Sequence, residues 1–216
     1  MRESGATSLA TLFALADSRL PIGGHVHSGG VEEAVASGLV RDAATIELYL
    51  RRRVRTSGLV AASLAAAVCA GELDPLRAEA EADARTTAPG ARIASRAQGR
   101  GLLRLAEQLW PRPEWSTLSA TPHLSTVFGM VGAACAATPQ ETAGVVVYTT
   151  LTAAATAAQR LLALDPAAVA VVTVRLAELC DRTTGEAVTG LAAASDPLQD
   201  ALAQRHLLRE RPLFAS

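Results

Sequence analysis

Ten residues near the N-terminus, Pro21-Ile22-Gly23-Gly24-His25-Val26-His27-Ser28-Gly29-Gly30, gather side chains and glycines that could do chemistry. Clustered glycines let backbone N–H groups converge on an anion, as a phosphate cradle does. Yet the stretch lacks the G-K-[ST] ending, no strand pattern precedes it, and the chain contains no lysine, which argues against a nucleotide site. His25 and His27 form an H-x-H pair. In an extended loop both imidazoles would point to one side and suit a borderline metal such as nickel or zinc. The alternative is two polar loop side chains facing solvent or a partner, since two ligands fall short of a metal site. Ser28 with a distant His and Asp could form a triad, but there is no G-x-S-x-G elbow and no alternating βα pattern to host one. His123 and His206 stand beside helix-boundary signals and fit caps or core hydrogen-bonding groups. Of the basic run, Arg51, Arg52 and Arg55 read as a solvated helix face, whereas Arg53 flanks the apolar stripe and could reach a carboxylate across a helix or subunit boundary.

The elements that must position these residues are helical. Ser8 caps a first helix ending near Asp17, and a short helix after the glycine loop closes at Gly38. Asp42 precedes a segment in which Ile46, Tyr49, Leu50 and Val54 recur at helical spacing. Leu59 to Ala70 is small and apolar, which predicts either a buried helix or a close-approach surface between two copies of the chain. Asp74-Pro75, Thr138-Pro139, Asp165-Pro166 and Asp196-Pro197 each set a capping side chain before a proline suited to a first helical turn. A helix is expected over 91–109, followed by a break at Pro111, Pro113 and Pro122. The β-branched run 169–174 sits in a segment begun by Asp-Pro, which predicts helix continuing to Leu179. Period-two alternation is nearly absent. The expectation is an all-α, bundle-like single domain over 1–216, built from eight to ten helices.

Composition sets the outer bounds. Twenty arginines stand against twenty-one acidic residues, a formal net charge of −1, which is no nucleic-acid-binding balance. Without lysine there can be no Schiff base and no P-loop lysine. Cys69, Cys135 and Cys180 are odd in number and lack a C-x-x-C spacing, so a reducing cytoplasm is expected. The N-terminal apolar stretch makes a poor secretory signal, and the uncharged run 142–159 is too rich in threonine and alanine for a membrane span. A soluble protein with no cofactor follows.

The segment from Asp17 to Glu32 resembles the signature stretch of the UreF family, with Pro21, Gly23, Ser28, Gly30 and Glu32 matching directly and His25 standing where the family usually has an aromatic. Arg92 and Ser95 followed by Gly99 are similar to the family's R-x-x-S-x-x-x-G helix. His123 with Val127, Phe128 and Gly129 resembles its H-x-x-x-V-F-G segment, and Tyr148 followed by Arg160 and Leu161 its A-x-R-L helix. Leu164-Asp165-Pro166 departs from the family's Leu-Gly-Gln turn. The ending Arg205, His206, Arg211, Leu213, Phe214 and Ser216 again follows the family pattern. The resemblance implies an all-α homodimer without catalytic activity that binds the accessory protein UreD (UreH). With it the protein would recruit the GTPase UreG, modulate GTP hydrolysis and deliver nickel to apo-urease. It also implies a partner-binding role for Pro21, Gly23, Ser28, Gly30, Glu32, Tyr148 and Arg160, and for Arg211, Leu213 and Phe214 in a tail over 210–216. That tail packing back onto its own domain is the alternative. A metallochaperone holding nickel on His25 and His27, and a small helical enzyme, stand as the competing functions.

Overall fold

Capping chemistry explains where the helices begin. In the computed structural model, which describes residues 7–17, 20, 22, 27–209 and 213–214, the Ser8 hydroxyl accepts from the Thr11 N–H to open α1 (Leu9–Ala16). After α2 (Val31–Ala36), Asp42 and Thr45 form a reciprocal capping box at the head of α3 (Ala43–Arg53). A five-residue π-helical turn, Val54–Gly58, carries the chain without a break into α4 (Leu59–Cys69). Asp74 caps α5 (Pro75–Arg85), and α6 (Pro89–Leu109) starts on a proline two residues earlier than expected. A 3₁₀ turn at Pro113–Thr117 bridges the proline-rich break, and α7 (Leu124–Ala134) follows. Thr138 and Glu141 make a second capping box for α8 (Pro139–Leu162). Asp165 and Asp196 cap α9 (Pro166–Arg175) and α11 (Pro197–His206), with α10 (Ala177–Ala187) between them.

The all-α expectation holds, with no strand among the described residues and ten helices when α3 and α4 are taken as one rod. The segment 166–179 is two helices instead of one. It breaks at the fully buried Leu176, whose insertion into the core turns the chain.

α4 is the axis of the bundle. It packs along α7 and α8, α10 lies over both α4 and α8, and α6 covers α7. Ala62, Ser63, Ala65 and Ala66 are therefore buried in the chain's own core, as the buried-helix reading of 59–70 expected, and the alternative of a surface between two copies is corrected. Small residues there let α7 and α8 approach closely, and Phe128, Leu64, Leu102, Leu151 and Ile46 fill the remaining space. A smaller cluster of Val60, Val68, Leu73, Ala78 and Ala82 seats α5 against α4. No helix among the described residues is long and apolar enough to cross a membrane.

Candidate partner-binding site

The glycine loop ends as a helix start. Gly30 at φ +86 precedes α2, and a Cβ there would also stand 2.8 Å from the Tyr49 hydroxyl oxygen, so glycine meets both demands. Ser28, fully buried, accepts from the Glu32 N–H at 3.3 Å, which ties the loop to the first turn of α2. The Gly29 carbonyl accepts from the Tyr49 hydroxyl and from Arg53 Nη1, both at 2.8 Å. Burial pushes the Tyr49 phenol up to about 12, so it stays a donor.

Arg53 Nη1 also donates to Gln199 Oε1 at 2.8 Å, tying the loop to α11. The carboxylate expected for Arg53 falls instead to its neighbour: Arg52 grips Asp196 through Nη2 at 2.5 Å and Nε at 2.6 Å, while Asp196 caps Leu198 and Gln199. Arg52 lies one position round the helix, where the head of α11 passes.

The other end of α11 returns to α2. Arg209 Nε meets Glu33 Oε1 at 2.5 Å, and Arg205 approaches the same carboxylate at 4.0 Å. Glu32 is 3% exposed, and its carboxylate accepts the backbone N–H groups of Leu213 at 2.8 Å and Phe214 at 3.1 Å. His206 Nε2 donates to the Phe214 carbonyl at 3.1 Å, with Nδ1 3.8 Å from Glu32. The Phe214 ring is buried under Arg160, whose guanidinium carbon lies 5.4 Å from the centroid. Leu213 turns outward at 79% exposure. The tail therefore packs Phe214 onto its own domain and presents Leu213.

A second polar clamp joins α5, α6 and α7. His123 Nε2 donates to Asp83 Oδ1 at 2.9 Å, because an ionised carboxylate can only accept, and Nδ1 lies 3.0 Å from Ser95 Oγ. Ser95 Oγ also accepts from the Leu124 N–H at 3.2 Å, and the imidazole is 1% exposed, so this Ser–His–Asp row ties α5, α6 and the head of α7 together. Arg96 bridges Glu79 at 3.0 Å and Asp83 at 2.8 Å. Burial pushes the Asp83 carboxyl up, but the His123 hydrogen bond and the Arg96 charge outweigh it and hold the group below its ordinary value. Gly99 admits the contact, since a Cβ there would lie 2.0 Å from the Pro122 carbonyl oxygen. Both clamps face one cleft of about 560 Å³, with His27, Arg53, Ser95, His123, Gln199 and Phe214 in its wall.

A family model described as UreF matches residues 40–177. The chain is 64% identical over 213 residues to the urease accessory protein UreF of Mycolicibacterium vanbaalenii, covering 97% of this chain and 100% of that protein. To the urease accessory protein UreF of Mycobacterium marinum, and to that of Mycobacterium tuberculosis, it is 60% identical over 210 residues, again covering 97% and 100%. The chain belongs to the UreF family. Of the residues that the family resemblance singled out, Ser28, Gly30, Glu32, Arg160 and Phe214 come together around the tail. Tyr148 does not: it stands half-exposed roughly 18 Å before Arg160 along α8. Pro21, Gly23, His25 and Arg211 lie outside the described residues. His27 is buried in the cleft wall, and no three metal-ligating side chains converge among the described residues. Where the UreF turn is replaced by Leu164-Asp165-Pro166, Ala163 ends α8 in the left-handed region and Asp165 caps α9. Sequence reasoning missed Arg52, Gln199 and Arg209. Their partners are more than 140 residues away, a separation no local spacing signals.

Proposed function

We propose that this chain is a urease accessory protein that works without catalysing a reaction, in the cytoplasm, as a homodimeric scaffold for urease maturation. In this reading it binds UreD (UreH), recruits the GTPase UreG with it, and supports nickel insertion into apo-urease while modulating GTP hydrolysis. What supports it most is identity of 60–64% over 97% of the chain to proteins that carry that accessory name. The assembly of loop, α2, α11 and tail gives the scaffold a surface. Leu213 projects from a segment that Glu32 and His206 hold by its backbone, leaving the side chain free for an apolar pocket on UreD. Tyr148, exposed on α8, offers a separate contact.

Co-purification tests this. Tagged protein expressed with UreD and UreG is expected to capture both, and UreG only when UreD is present, while Leu213→Asp loses UreD without losing helicity. Capture of neither partner by the wild-type chain would reject the scaffold reading. Calorimetry with nickel addresses the competing function: stoichiometric binding abolished by His27→Ala would make the chain a metallochaperone.

A further inference from the structure

Arg53 is a cation without a carboxylate. Its neighbour Arg52 takes Asp196, and Arg53 makes no ion pair among the described residues. Both hydrogens of Nη1 are spent, one on the Gly29 carbonyl and one on Gln199 Oε1, each at 2.8 Å. What remains is the edge formed by Nε and Nη2, whose two parallel N–H bonds match the two oxygens of a carboxylate. Nε is buried with no partner, and Nη2 has no acceptor among the described residues. A guanidinium only donates, so the Gln199 atom it meets is the oxygen and the amide nitrogen is left over. That nitrogen, on a residue 8% exposed, is likewise buried and unpartnered. Buried donors without acceptors forfeit the hydrogen bonds they had in water, and two on adjoining side chains mark a place where an acceptor belongs.

Both residues stand in the wall of the cleft of about 560 Å³, a volume suited to a small organic molecule. Away from them the wall is apolar, with Val60, Ala61 and Leu64 of α4, Phe128 of α7 and Ala153 of α8. Its other charges are largely offset: Asp196 is paired with Arg52, Arg85 with Glu81, and Asp17 and Arg160 balance in sign. Asp200, one residue beyond Gln199, adds a negative charge that repels a dianion. We propose that the cleft binds a small monocarboxylic acid. Its carboxylate sits on the Nε–Nη2 edge of Arg53 with the Gln199 amide as a further donor, and its hydrocarbon part lies against α4, α7 and α8. Arg53 also ties the glycine loop to α11, so an occupied cleft stabilises that junction. The inference goes beyond the scaffold reading and does not depend on it.

Calorimetry with sodium hexanoate is expected to give one site with a dissociation constant of about 0.1–1 mM, the range for a ligand this small, and the melting temperature should rise with hexanoate. Hexanamide keeps the hydrocarbon without the charge and should bind about tenfold more weakly. Adipate, the dicarboxylate of the same length, should be weakened by about as much, because its far carboxylate meets the apolar wall and Asp200. Arg53→Lys keeps the charge without the fork and should lose about tenfold. Ala153→Trp fills the cleft and should abolish binding with an unchanged helical spectrum, since Ala153 is only half-buried. Should Arg53→Lys lose its helicity, Ala153→Trp decides alone. Equal binding of hexanoate and hexanamide would overturn the carboxylate head, and hexanoate binding untouched by Ala153→Trp would overturn the cleft as its site. No binding at about 10 mM, ten times the weakest constant expected, would overturn the proposal outright.

Discussion

Glu32 does three things from one buried position: it closes the first turn of α2 through its N–H, receives two backbone N–H groups of the tail, and faces His206. A charged acceptor of this kind contributes more than a neutral one, so Glu32→Ala should lower stability by about 2–3 kcal/mol in urea unfolding, with amide exchange at Leu213 and Phe214 becoming fast. Gly99 is constrained by a backbone atom, which cannot rotate away as a side chain can. Gly99→Ala must push α6 off the Pro122 carbonyl and should cost about 3 kcal/mol, the upper part of the overpacking range. Both glycine and glutamate were legible in the chain as matches to a family pattern. The pattern carried no physical reason for either, because the reason lies in what crosses them from 20 to 180 residues away.

At the scale of elements, caps set the helix starts and polar clamps set how helices sit on one another. Asp165→Ala should cost about 1 kcal/mol by removing the cap of α9. The clamp on α5 is pH-dependent in a definite direction. Asp83 has a folded pKa below its unfolded value, so its contribution is complete above the unfolded pKa and disappears as pH falls through the folded one. Stability should therefore decline below about pH 4, and Asp83→Asn should flatten that acid limb in denaturation curves taken across it. The Asp-Pro and Thr-Pro starts were read correctly from local chemistry, whereas the π-helical turn at 54–58 and the break at Leu176 were not. The break depends on a tertiary demand, the burial of Leu176 in the core, and the turn has no local signal in the residues that form it.

For the whole molecule, the tail is the segment on which function and stability meet. Removing 210–216 strips Phe214 from the core along with two hydrogen bonds to Glu32, so the truncated chain should melt at a lower temperature, while Leu213→Ala should melt as wild type does. The three thiols are free, and reductant should leave the melting temperature unchanged. The sequence by itself determined the all-helical architecture, most helix boundaries and the family, because caps, prolines and apolar spacing act within a few residues and need no tertiary context. Tertiary structure chose between the two readings of α4, buried helix and outer face, since both draw on the same small apolar residues. It also decided that Arg52 takes the carboxylate and that Phe214 turns inward while Leu213 turns out. Those outcomes depend on which distant backbone passes within hydrogen-bonding reach, and a linear chain carries no local sign of that.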